Sequence, residues 1–206
     1  MRRTALFARS VLVTALCPVV LLLGAGRAAA DPILPLNWAV SGSAVLAKPG
    51  VTMRIPAGAT FSGQLDLATW QLTGDTKIPD LTLRMTLFGF LPTTSVVRMV
   101  PTAPTTASVD LGANKVLATT TFHLSVLRVS SDWLPSVNLV APGCRTTTPS
   151  VATLHNTTPI DLNHLGMAGT FGISPFTGCG LATPLLTALL SGAGNRMALT
   201  FGAPAP

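Results

Sequence analysis

The side chains able to form bonds, bind metal or shuttle protons are few in this 206-residue chain, chiefly three cysteines, three histidines and seven aspartates. Their densest grouping is His155, Asp161 and His164. Two imidazoles and a carboxylate can hold zinc and leave a coordination position open for water. The spacing, however, lacks the tight HExxH form, and Pro159 lies between the histidines. The segment from Leu154 to His164 therefore reads as a polar surface connection, and no metal is expected. His123 falls within an alternating apolar segment and reads as a sheet-face residue.

Catalytic patterns are equally sparse. Ser43 and Ser174 lack the flanking glycines of a Gly-x-Ser-x-Gly nucleophile elbow. The chain contains no Glu, so a glycosidase pair would have to come from Asp66, Asp75, Asp80, Asp110, Asp132 and Asp161, or from Asp31 near the start of the exported part. Most of these lie in strand-and-turn contexts that suit solvated carboxylates. No catalytic residue and no cofactor is expected.

The elements that must position these groups begin after residue 30. Residues 1–30 start with Arg2, Arg3 and Arg9, continue through an apolar run from Val11 to Leu23, and end on Ala28-Ala29-Ala30. That is the pattern of a secretory signal peptide, which predicts a secreted or cell-envelope protein formed by residues 31–206 as a single β-domain. Cys17 would leave with the leader. Cys144 and Cys179 remain, an even pair in an oxidising compartment, and they are expected to form a disulfide.

Cleavage also changes the charge. The whole chain carries +6, but four of its 13 basic residues (Arg2, Arg3, Arg9 and Arg27) and none of its acidic ones lie in the leader. Nine basic and seven acidic residues remain, spread along the chain without a basic run. A nucleic-acid partner, which needs a concentrated positive face, is not expected. After cleavage no segment is left that would span a membrane as a helix.

Periodicity points to strands. Leu81, Leu83, Met85 and Leu87 alternate with Thr82, Arg84 and Thr86, and Phe61, Leu65 and Leu67 alternate with Ser62, Gln64 and Asp66. From Lys115 to Val129, the residues Val116, Ala118, Phe122, Leu124 and Val126 share one side. Such period-two patterning is what a sheet with one covered face requires. Abundant Thr and Val favour the same reading, and missing Glu with only three Lys removes the usual exposed-helix residues. Shorter strands are expected at Trp38–Val45, Val51–Ile55, Ser95–Val100, Ser108–Leu111, Val137–Val140, Ala168–Ile173 and Met197–Phe201. Turn signals include Thr73-Gly74-Asp75, and Met99 to Ser108 reads as a long loop. One short helix is expected near 184–191, capped by Thr183, opened by Pro184 and stopped by Gly192. The predicted fold class is all-β, a sandwich or small open barrel of antiparallel strands with one short C-terminal helix and one disulfide.

Three segments carry a resemblance: Trp38-Ala39-Val40-Ser41-Gly42-Ser43, the stretch from Ile55 to Gly63, and a C-terminal constellation. The last runs from Cys144 through Pro175-Phe176-Thr177-Gly178-Cys179-Gly180 to Ser191-Gly192-Ala193-Gly194-Asn195. Together they resemble secreted, β-rich actinobacterial domains of unknown function. The resemblance implies an exported envelope protein with a Cys144–Cys179 bridge, and it brings no catalytic residues with it.

The expected function is accordingly non-enzymatic. An exported apolar β-domain suits the binding of a lipid, another apolar ligand or an envelope component. Candidate lining residues are Leu83, Met85, Leu87, Phe88, Phe90, Phe122 and Leu124, with ordinary core packing as their alternative role. Two other readings are an outer-envelope β-barrel pore, suggested by alternating segments near ten residues long, and a structural or adhesive surface module without a small ligand.

Overall fold

A computed structural model describes residues 32–87 and 89–203. The leader expected at 1–30 and the candidate lining residue Phe88 lie outside the described residues. The first half of the chain forms β1 (Ile33–Leu46), β2 (Val51–Arg54), β3 (Thr60–Asp66), β4 (Gln71–Lys77), β5 (Leu81–Leu87), β6 (Leu91–Pro101) and β7 (Thr105–Asp110). The second half forms β8 (Lys115–Ser131), β9 (Arg145–Thr146), β10 (Ser150–Asn156), β11 (His164–Ile173), β12 (Phe176–Thr177), α1 (Thr183–Leu190) and β13 (Gly192–Gly202).

The sheet closes on itself. Neighbouring strands run β10-β11-β13-β1-β3-β4-β7-β8, and β8 then pairs with β10 through Ala118↔Leu154 and Thr120↔Ala152. Every pairing is antiparallel, so the result is an eight-stranded barrel rather than a sandwich. Closure leaves the ring without a free edge.

Two long strands carry the fold beyond the ring. The first half of β1 pairs with β3 and its last residues with β2, while the first half of β8 pairs with β7 and its second half with β6. The barrel thus has a mouth near Leu34 and Val116. Its opposite end is covered by β5, β6 and α1, where Leu46, Met53, Leu83 and Leu190 line one apolar contact.

Alternation explains which side chains enter the barrel. Trp38, Phe61, Leu72, Ala107, Ala118, Leu154, Met167 and Leu199 are buried, while Ser62, Gln64, Thr73, Asp75, Thr106, Ser108 and Thr153 stand exposed on the outer wall. Large rings fit inside a narrow barrel only beside small residues. Gly63 and Gly74 are paired across β3 and β4, and a Cβ on Gly74 would lie 2.6 Å from both the Gly63 Cα and the Phe61 ring. The Phe61 ring covers this glycine pair, the aromatic cover that strand glycines need. Elsewhere the backbones come closer still: a Cβ on Gly169 would lie 1.9 Å from the Thr153 carbonyl oxygen. Neither strand can retreat without breaking the ladder between β10 and β11. We expect Gly169→Ala to destabilise the protein by about 3 kcal/mol, read as a lower urea midpoint at unchanged slope.

Several local expectations are corrected by the structure. Thr73-Gly74-Asp75 is the middle of β4, not a turn, because Gly74 is needed opposite Gly63. Met99 to Ser108 is not a long loop: β6 runs to Pro101 and β7 resumes at Thr105, both on the same edge of β8. Pro101 and Pro104 cannot donate to a ladder, and Thr102 bridges the break by donating its N–H to the Thr121 carbonyl at 2.9 Å. Val137–Val140 is irregular and forms part of the connection from β8 to β9.

The helix α1 carries Pro184 in its first turn, as expected, but Thr183 does not cap it. A short 3-10 turn, Gly180–Ala182, leads directly into α1, and the Thr183 hydroxyl instead accepts the Cys179 N–H at 3.2 Å. At the other end Lys48 Nζ donates to the Ala188 carbonyl at 3.2 Å, placing a cation against the negative end of the helix dipole. Cys144 and Cys179 are joined, buried beside this helix. Among the described residues no helix is long and apolar enough to cross a membrane.

Candidate functional site

The barrel mouth holds a cavity of about 310 Å³. Its wall is built strand by strand from inward positions: Leu34, Leu36 and Trp38 on β1, Leu65 on β3, Leu72 on β4, Val109 on β7, Val116 on β8 and Leu165 on β11. The cross-strand pairs Leu34↔Leu65, Leu65↔Leu72 and Val109↔Val116 make this a level ring. Loop residues form the rim, with Leu67 and Trp70 between β3 and β4, Leu111 after β7, and Ile160 and Leu162 before β11. Every lining residue is apolar. The cavity has no acid, base, hydroxyl or thiol in its wall, so it can hold hydrocarbon but supplies no group for proton transfer or nucleophilic attack.

Three aromatic rings lie beneath it. Trp38 stands 5.7 Å from Phe61 and 5.8 Å from Phe201, and Phe61 stands 6.0 Å from Phe201. Trp38 lines the mouth cavity, whereas Phe201 lines a smaller hollow of about 50 Å³ deeper in the barrel. In that hollow the hydroxyls of Thr76, Thr105 and Thr120 form a chain across β4, β7 and β8, with spacings of 3.2 and 3.0 Å. The deeper space is therefore suited to a water or two, and the mouth to an apolar guest.

Two interactions fix the rim. The Trp38 indole N–H donates to the Leu162 carbonyl at 2.7 Å, tying the segment before β11 to the cavity wall. At the β3–β4 turn, Asp66 Oδ1 accepts the Ala68 and Thr69 N–H groups at 2.8 and 3.2 Å, while Oδ2 accepts the Thr69 hydroxyl at 2.8 Å. The Thr69 hydroxyl first, then the Ala68 N–H, hold the Asp66 carboxyl below its ordinary pKa. The turn ends on Trp70 with φ +56°, a left-handed conformation that costs a bulky residue about 1 kcal/mol. Glycine or asparagine would sit there at less cost, yet Trp70 extends from the turn to line the cavity.

The residues proposed from sequence are not brought together. Phe122 lines the deeper hollow, Leu83 and Leu124 sit in the packed end of the barrel, and Met85 and Leu87 face α1. Phe90 is mostly exposed. His155 lies on β10 opposite Ala168, whereas His164 lies four residues away from Ala168 along β11, opposite Gly202. Among the described residues no cluster of three metal-capable side chains occurs. His123 sits on β8, its Nδ1 3.0 Å from the Thr146 hydroxyl.

Much of the cavity wall lies outside the elements expected from the sequence, whose first strand begins at Trp38 whereas β1 begins at Ile33. Leu34, Leu36 and Trp38 already alternate, but Pro35 interrupts them. In the structure the open side of Pro35 lies where β1 has not yet met β13, so its missing N–H costs nothing. No family model, curated protein or solved structure matches this chain.

Proposed function

We propose that this is an exported, non-enzymatic protein that binds an apolar ligand, a hydrocarbon chain or small ring system, in the mouth of its barrel. The observation that carries the reading is the 310 Å³ cavity with a wholly apolar wall. Its size is at the lower end of the roughly 300–1,000 Å³ typical of small-molecule sites. An engineered apolar cavity of about 150 Å³ stays dry and takes up benzene, so a larger one of the same chemistry is a standing site for hydrocarbon. The signal-like leader and the resemblance to secreted actinobacterial domains support export, and the disulfide is consistent with it.

The outer wall supports a barrel that stands in water. Thr, Ser, Gln, Asp and Lys occupy the outward positions of β3, β4 and β7, the reverse of the apolar band of a membrane-crossing barrel. The chemistry of the wall also supports a binding rather than a catalytic role, since the carboxylates and histidines lie outside the cavity lining.

The test is native mass spectrometry of the exported protein purified without detergent, followed by titration with a medium-chain alcohol while the fluorescence of Trp38 and Trp70 is followed. A retained mass that extracts into organic solvent, or saturable one-to-one binding with a tryptophan spectral change, is expected. A bare protein that also shows no saturable response would overturn the reading in favour of a surface module without a small ligand.

A further inference from the structure

The end of the molecule opposite the cavity presents a second apolar feature, formed by different residues. Three segments meet there. The β5–β6 turn carries Phe90, the connection from β8 to β9 carries Trp133 and Leu134, and the 3-10 turn before α1 carries Leu181. Trp133, Leu134 and Leu181 are 64%, 62% and 100% exposed, values at which large apolar side chains project into solvent instead of packing. The segments are held side by side: the Asp132 N–H donates to the Pro92 carbonyl at 3.0 Å, and the Ala141 N–H donates to the Cys179 carbonyl at 3.3 Å. The Cys144–Cys179 bridge pins the β8–β9 connection to the turn that bears Leu181.

Charge is distributed unevenly around this end. The outer face of β5, β6, β8 and β9 carries Arg84, Arg98, Arg128 and Arg145, against Asp80 before β5 and Asp132 after β8. The rest of the chain from residue 31 onward is balanced, with five basic and five acidic side chains. The whole positive surplus of residues 31–206 therefore lies on one face. Arg98 is occupied by Asp80, through Nε to Oδ1 at 2.7 Å and a second bond at 2.8 Å, and Arg128 donates to the Pro135 carbonyl. The side chains of Arg84 and Arg145 make no hydrogen bond or ion pair among the described residues.

We propose that this end docks on an anionic lipid surface, with Trp133, Leu134 and Leu181 entering the headgroup layer and the arginine face lying against lipid phosphates. Separate loop tips suit the loosely packed headgroup layer, whereas a protein partner is met by a continuous apolar surface. The Trp133 indole N–H has no partner among the described residues, and an indole is the side chain that settles where apolar and wet layers meet. Each arginine close to an anionic surface adds to binding, and salt screens that contribution. This inference rests on none of the cavity residues.

The test is co-sedimentation of the exported protein with vesicles of phosphatidylcholine alone and of equimolar phosphatidylcholine and phosphatidylglycerol. We expect binding to the mixed vesicles, about tenfold weaker binding to phosphatidylcholine alone, and weakening by added salt. W133S/L181S should lower binding by about tenfold while leaving the circular-dichroism spectrum unchanged, since both side chains are exposed. R84Q/R145Q should remove the preference for phosphatidylglycerol. The proposal is overturned if the unmodified protein stays in the supernatant with both vesicles, or if W133S/L181S sediments as well as the unmodified protein. It is also overturned if the protein forms a dimer that W133S/L181S disrupts while neither form binds vesicles, which would make a second copy the occupant.

Discussion

Val109→Trp is expected to leave a folded barrel that has lost its apolar ligand. Val109 is half-buried on β7, opposite Val116, and faces the 310 Å³ cavity. The larger ring has open space ahead of it, so the substitution fills a void instead of overpacking a closed core. A ring placed there displaces three or four methylenes of a bound chain. At about 0.8 kcal/mol for each buried methylene, affinity should fall by roughly 100-fold. Titration with the same medium-chain alcohol reads the effect, and the urea midpoint serves as the control for folding. Retention of full affinity in a folded V109W protein would place the ligand elsewhere.

Removing the disulfide by C144A/C179A should cost about 3–4 kcal/mol, because the bridge closes a loop across a sequence separation of 35 in the unfolded chain. Both cysteines are buried, so two small voids add to the loss of cross-link. The urea midpoint should drop accordingly. The bridge lies beside α1, at the end remote from the mouth, so the fraction that remains folded should still bind the apolar ligand. Loss of ligand binding without loss of stability would contradict this separation of the two ends.

Legibility in the sequence differed between elements for physical reasons. The strands β3, β5 and β8 were visible because each alternates apolar and polar residues over at least seven positions. β4 was hidden because Gly74 at its centre imitates a turn, and only its neighbour Gly63 with the Phe61 ring above explains the glycine. β10 was not expected, and its last three residues fall in the segment from Leu154 to His164 that looks like a polar connection, since Thr153 and His155 face outward beside the buried Ala152 and Leu154. The candidate site fared worse. Of the six described lining residues proposed from sequence, none borders the mouth cavity, because alternation reports that a face is buried without saying at which level of the barrel.

Composition and patterning by themselves determined that this chain is all-β with one short late helix, and that Cys144 and Cys179 form a pair. Those properties follow from local preference, from residue spacing and from an even cysteine count. Tertiary structure alone decided the rest. Closure into a barrel depends on Ala118 meeting Leu154, and the cavity depends on Leu34 meeting Leu65 and Val109 meeting Val116. The gathering of four scattered arginines onto one face depends on the register of β5, β6, β8 and β9. Each of these is a hydrogen-bonding choice between strands. A strand's own residues state which side is to be buried, and only its partners decide what it is buried against.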